Sequence, residues 1–221
     1  MELNEIMVNY GTDKQELIHN YVQHYNKYFE PHKEKKLKIL EIGIFRPDKG
    51  SNAIPGASLK TWRDYFPKSE IYGIDLGDFT DVNDDRIKTM IVNQEIRTKN
   101  SEWNGLTEMI DNFGGDFDII IDDGGHSMEQ QQVSLGFLFK FLKPGGIFVI
   151  EDLETSYKWG WAYNKTNTEY DTLSILKIFN NTNKIMSDFI TDDEKIYLNQ
   201  NIDKIFIEKG NHSEISFIYK K

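Results

Sequence analysis

Two short apolar runs in this chain end in paired carboxylates. One is Asp118-Ile-Ile-Ile-Asp-Asp-Gly-Gly-His126, the other Ile147-Phe-Val-Ile-Glu-Asp152. A strand buried on both faces of a parallel sheet reads as a continuous apolar run, and ligands of such sheets sit beyond the carboxyl ends of the strands. As neighbouring strands, the two runs would bring Asp122, Asp123, Glu151, Asp152 and His126 to one edge. Hard carboxylate oxygens suit magnesium, calcium or manganese better than zinc. No basic residue is adjacent in sequence, so a bound cation is expected to relieve the repulsion among these acids. His126, three residues past Asp123, then stands where a general base would serve an activated oxygen. The plainer alternative is that the acids cap the helices that follow. It accounts poorly for Asp123 and Asp152 together, so an enzyme is the leading expectation.

Other positions add a second ligand. Glu41-Ile-Gly43 ends an earlier apolar run. Gly43 would let a ligand approach the backbone, and Glu41 could accept a hydrogen bond from a ligand ammonium. No G-x-G-x-x-G follows, so a dinucleotide pyrophosphate lacks its usual loop. Asp75, closing Gly73-Ile-Asp75, is placed to take the two hydroxyls of a ribose. Asn93-Gln94 would border the adenine. Turn acids and plain loop polarity are the alternatives at these positions. His19, His24, His32 and His212 lack comparable surroundings and read as surface or helix-face residues.

The elements that must position these groups follow from periodicity. Thr12-Asp13-Lys14-Gln15 has the form of a capping box, which predicts a helix from about Asp13 to Phe29 with Leu17, Tyr21, Tyr25 and Tyr28 on one stripe. Leu37 to Gly43, Glu70 to Asp75, Ile87 to Val92, Phe117 to Asp122 and Ile147 to Glu151 read as strands. Helices are expected over Ser58 to Phe66, after Ser101 (carrying Trp103, Leu106, Ile110 and Phe113), and from Ser127. Pro144-Gly145-Gly146 reads as a turn into the fifth strand. Strands alternating with helices at this spacing predict a parallel, doubly wound α/β sheet. Further helices are expected over Tyr170 to Asn180 and Asp192 to Asn199. The last strands, Lys204 to Glu208 and Glu214 to Tyr219, flank a Gly210-Asn211 turn and form a hairpin. Between these parts, Tyr157, Trp159, Trp161 and Tyr163 crowd a segment that reads either as a lid or as a small satellite core.

Composition narrows the partners. At 221 residues the chain is expected to form one domain with a sizeable core. A net charge of -10 argues against nucleic acid or an anionic membrane as the main partner. There is no cysteine, hence no disulfide and no thiolate chemistry. No apolar run would span a bilayer, and the polar N-terminus does not read as a signal peptide. A cytoplasmic location is the default expectation.

As a set, Tyr10-Gly-Thr-Asp-Lys14, Leu40-Glu-Ile-Gly43, Leu59 to Trp62, Gly73-Ile-Asp75, Asp122-Asp-Gly-Gly-His126 and Leu142-Lys-Pro-Gly-Gly146 through Glu151-Asp152 resemble the class I S-adenosylmethionine-dependent methyltransferases. More narrowly, they are similar to the magnesium-dependent sugar O-methyltransferases of macrolide biosynthesis and their cephalosporin-biosynthesis relatives. The resemblance implies a Rossmann-like fold: a mostly parallel seven-stranded sheet, a C-terminal antiparallel hairpin and helices on both faces. Residues 1–36 would form an N-terminal helical segment and 37–221 the methyltransferase domain. The resemblance also implies that Thr12, Lys14, Glu41, Gly43, Ser58, Asp75, Gln94 and Asp122 hold S-adenosylmethionine. Asp123, Glu151 and Asp152 would hold Mg2+ or Mn2+, and His126 with Asp123 would be catalytic. The acceptor it implies is a sugar, nucleotide-linked or carried on a glycan or natural product, and a homo-oligomer is compatible with it. The rivals are a methyltransferase of catechol-like or other small natural products, and a nucleotide-binding module without catalysis. In one place the chain departs from the family pattern: Phe45 to Pro55 looks inserted before Gly56-Ala57-Ser58.

Overall fold

The apolar runs become strands of one sheet because their side chains, alternating between faces, are apolar on both. In the computed structural model, which describes residues 1–45, 53–157 and 170–221, these strands are β1 (Lys38–Ile42), β2 (Glu70–Asp75), β3 (Ile87–Ile91), β4 (Phe117–Asp122) and β5 (Leu142–Ile150). They pair in parallel. The hairpin of β6 (Ile202–Lys209) and β7 (Glu214–Lys220) completes the sheet in the order β3-β2-β1-β4-β5-β7-β6. Strand β7 runs antiparallel to both of its neighbours.

Helices cover both faces. On one side α1 (Leu3–Tyr10), α2 (Val22–Phe29) and α3 (Ala57–Tyr65) pack on Ile39, Ile71, Ile119 and Val149. On the other, α4 (Leu106–Phe113), α5 (Met128–Leu138), α6 (Thr172–Thr182) and α7 (Asp192–Asn201) pack on Leu40, Ile42, Ile120 and Phe148. Register sets the functional edge. Ile42 is level with Asp122, and Asp122 with Ile150, so β1, β4 and β5 end together. The ladder continues one residue further: Asp123 N–H donates to Ile42 O and Glu151 N–H to Asp122 O, each at 3.0 Å.

Three local expectations need correction. The single helix expected from Asp13 to Phe29 is two helices, separated by turns over 12–20. Helix α1 lies upstream, on an apolar face of Leu3, Ile6 and Met7, and ends at Gly11 with φ 77°. Thr12 to Gln15 form no capping box, and Leu17, expected on the buried stripe, is 86% exposed. Asn20, with φ 57°, keeps the turns from merging into α2. Tyr21, Tyr25 and Tyr28 are buried as expected. Strand β5 begins at Leu142, because Pro144-Gly145-Gly146 are absorbed within it, where the pairing with β4 shifts register. Helix α4 starts at Leu106, not after Ser101; its Glu108 carboxylate accepts from the N–H groups of Gly105 and Lys99. Residues 159, 161 and 163 of the aromatic segment read as a lid or a satellite core, and 46–52 of the apparent insertion, lie outside the described residues.

Helix α5 begins as read. Ser127 Oγ accepts from Gln130 N–H at 3.1 Å, and the Gln130 side chain accepts from Ser127 N–H at 3.0 Å. This pair anchors the end of the Asp-Asp-Gly-Gly-His loop. Ser127→Ala is expected to lose about 1 kcal/mol of stability, read as a lower urea midpoint at unchanged slope.

Candidate active site

Beyond the level strand ends lies a cavity of about 730 Å³, lined among others by Gly43, Asp75, Gln94, Asp123, His126 and Asp152. Thr12, Lys14 and Ser58 also border it. Glu41, Asp122 and Glu151 are buried and do not line it. The structure therefore brings the expected residues to one edge but divides them between a solvent-facing layer and a layer beneath.

The lower layer is organised by Lys14, 1% exposed. Its Nζ donates to Asp123 Oδ2 and lies 3.0 and 3.1 Å from the two carboxylate oxygens of Glu151. Glu41 Oε1 is 3.9 Å away. The repulsion among these acids, which on the sequence alone called for a bound ion, is relieved in part by an ammonium of the chain itself. Two tyrosines assist. Tyr25 donates to Glu151 Oε1 at 2.5 Å, and Tyr21 to Asp152 Oδ1 at 2.7 Å. Neither tyrosine nor this role of Lys14 was read from the sequence. The signal present was the buried stripe, Tyr21 and Tyr25 standing four residues apart and so sharing a helical face.

The upper layer holds the strained backbone. Asp123, His126 and Asp152 each offer a ligand atom, all within 4.8 Å of one another. His126 Nε2 is 3.6 Å from Asp152 Oδ2, and His126 Nδ1 is buried without a hydrogen-bond partner among the described residues. Both His126 and Asp152 have left-handed backbone, φ 59° and 53°. Such conformations cost free energy and gather at functional sites. Thr155 Oγ1 lies 2.9 Å from the carbonyl oxygens of both residues and ties them together.

The remaining expected residues are engaged by the protein. Gln94 donates to Asp122 Oδ1 at 3.1 Å and to Ser134 Oγ at 3.0 Å, while its carbonyl accepts from Gly125 N–H. It thereby fixes the Asp-Asp-Gly-Gly loop. Asp75 accepts from Ile44 N–H and Gly77 N–H, each at 2.7 Å, and still borders the cavity. Gly43 has φ +90°, and a Cβ there would stand 2.1 Å from Asp123 O. The close approach that demands a glycine is thus between the ends of β1 and β4.

No family model matches the chain. Its sequence is 34% identical over 177 residues to a demethylmacrocin O-methyltransferase of Streptomyces fradiae, covering 79% of this chain and 42% of that protein. It is 29% identical to a mycinamicin VI 2''-O-methyltransferase of Micromonospora griseorubida, over 96% of this chain and 54% of the relative. The chain spans about half the length of these curated relatives. All of it superposes on 55% of the MycE methyltransferase of the mycinamycin biosynthetic pathway, solved with Mg and SAH, with a TM-score of 0.78 and 28% identity. The chain has the class I methyltransferase fold. A further structure of the MycE protein holds Mg, SAH and mycinamycin VI, and matches this chain with a TM-score of 0.77 over 54% of that protein.

Burial sets the charge states at this edge of the sheet. It raises Asp122 to about 6, against the hydrogen bonds from Gln94 and Gly124. It raises Glu151 well above the carboxylate range, with Asp123 adding to the rise and Lys14 opposing it. Burial works against the Lys14 charge, but Asp123, Glu151, Asp13 and Glu41 outweigh it and hold the ammonium well above the usual lysine range. Burial lifts Glu41 from 4.5 to about 7, with Lys14 opposing. The Ser58 hydroxyl and the Trp62 indole also oppose that rise. Between pH 4.5 and 7 the unfolded chain releases the Glu41 proton while the folded chain keeps it, so this residue's contribution to stability falls as pH rises. Glu41→Gln is expected to gain stability relative to the parent across that window. Urea titrations at pH 4.5 and pH 8 check this; parallel pH dependences in the two proteins would count against it.

Proposed function

We propose that this chain is an S-adenosylmethionine-dependent, divalent-metal-dependent O-methyltransferase acting on a sugar hydroxyl of a natural product. One observation carries the reading: Asp123, His126 and Asp152 converge within 4.8 Å at the wall of a cavity of about 730 Å³. The relatives that supply the substrate class are named for methylation of macrolide and tetracenomycin sugars.

The residues present fit a hard divalent ion. The burial of Asp123, with Asp152 beside it, raises its pKa, a penalty that a positive ion would offset. Asp123, Glu151 and Asp152 would hold the ion. Glu151 is already bound by Lys14 and Tyr25 and its burial favours the protonated form; a bound cation would favour the carboxylate, whose remaining lone pairs could coordinate. When bound, such an ion would lower the pKa of an acceptor hydroxyl.

S-adenosylmethionine would lie along the β1 and β2 ends, bordered by Thr12, Gly43, Ser58 and Asp75. Asp75 retains lone pairs for ribose hydroxyls beside its two backbone bonds. Its sulfonium brings its own leaving group, so the protein's task is alignment and proton removal. His126, which lines the cavity, would take the acceptor proton on its imidazole. Asp152, 3.6 Å from Nε2, would then stabilise the imidazolium. Tyr21 and Thr155 hold Asp152 and the His126 backbone in that relation. Glu41 and Asp122 would support this wall from beneath, and Gln94, on the wall itself, would hold the Asp-Asp-Gly-Gly loop.

His126→Ala is expected to lower turnover by about 10²- to 10⁴-fold and leave S-adenosylhomocysteine affinity, measured by calorimetry, unchanged. Intact turnover would remove His126 from the mechanism. Excess EDTA should abolish transfer from labelled donor, and Mg2+ should restore it; full activity in EDTA would defeat the metal assignment. A panel of glycosylated macrolides, nucleotide-linked sugars and catechols tests the acceptor class. Transfer to catechols alone would overturn the sugar reading, and gel filtration of the active species reports whether it is a homo-oligomer.

A further inference from the structure

Lys14 comes from the turns between α1 and α2, yet its ammonium sits beneath the ends of β1, β4 and β5, within 4.0 Å of carboxylate oxygens of Glu41, Asp123 and Glu151. Its neighbours along the chain are tied to the same place. Tyr21 and Tyr25 donate to Asp152 and Glu151. Lys14 and Asp123 share a bond, and Asp123 also belongs to the group of three ligand residues that faces the cavity. One carboxylate is thus common to an inner, permanently charged site and an outer site suited to a divalent ion. Removing a single partner from a buried ion cluster leaves uncompensated charge, which is strongly destabilising.

We propose that Lys14 is a positioning residue: a built-in cation that holds Asp123 and Glu151 converged when no divalent ion is present, so that the metal-binding edge exists before metal arrives. This deepens the function proposed above and rests on it for the divalent ion only; the inner cluster can be tested with neither donor nor acceptor.

The test is a charge cycle on the full chain: Lys14→Met, Glu151→Gln and the double variant, followed by thermal unfolding in EDTA and in MgCl2, with NaCl matching ionic strength. Glutamine at 151 keeps an acceptor for the Tyr25 hydroxyl. Lys14→Met alone is expected to lower Tm in EDTA by roughly 6–20 °C, the loss of a buried ion-pair partner spread over a domain of this size. Mg2+ should recover a large part of that loss while raising the parent's Tm much less, because the divalent ion substitutes for the missing ammonium. The double variant should recover most of the loss in EDTA, since the buried carboxyl group that Lys14 faced is then a neutral amide. If Lys14→Met does not fold, the double variant still decides: soluble, cooperatively unfolding protein supports the proposal. A Tm for Lys14→Met within about 2 °C of the parent would overturn it. So would a loss that neither Mg2+ nor Glu151→Gln alters, the behaviour of a side chain needed only for its packing. A parent chain that binds no S-adenosylhomocysteine and transfers no methyl group would sink the proposed function and leave the EDTA arm of the cycle to be judged by itself.

Discussion

Three buried or half-buried carboxylates share one buried ammonium, and the arrangement of the functional edge depends on that balance. Gathering acids at the ends of parallel strands is easy for this fold, because level register delivers them to the same plane. Keeping them there is harder. Each acid loses hydration, and each raises the energy of its neighbours' charge. The protein meets this with Lys14 and two tyrosyl hydroxyls, all from the segment that precedes the sheet.

That arrangement separates two tasks that the acids could otherwise not perform together. Those of the lower layer, Glu41 and Glu151, spend their charge on internal partners or carry raised pKa values. Those of the upper layer, Asp123 and Asp152, face the cavity beside His126. The left-handed backbone at His126 and Asp152 is held by a single threonine hydroxyl between their carbonyls. The methyltransferase fold thus supplies the plane, the buried cation its cohesion, and the strained pair its working surface.

Much of this was legible in the residues. Apolar runs bounded by helical periodicity located all the strands, and the closing Gly210-Asn211 hairpin was visible from its turn. The convergence of Asp123, Asp152 and His126 followed from placing two such runs side by side. What could not be read was long range. Lys14 appeared within a capping box, because the spacing of Thr12 and Gln15 satisfies that local pattern, yet three acids more than twenty residues away claim its side chain instead. The same tertiary demand breaks the helix predicted from Asp13 and exposes Leu17. Gly43 was assigned to a ligand and lines the cavity, and the carbonyl of Asp123 also occupies the space where a side chain would be. Gln94 and Asp122, assigned to the donor, also hydrogen-bond each other, a tie that the sequence did not show.

The separation along the chain between Lys14 and its partners has a consequence for biogenesis. On a ribosome, the lysine emerges 109 residues before Asp123 and 137 before Glu151. Until then it stays hydrated, and the turns that carry it have nothing to dock against. The acids, once made, meet a counter-charge already waiting. Contacts of such large sequence separation form late and slow the overall reaction, so the carboxylate edge is expected to be among the last parts of the nascent protein to become ordered.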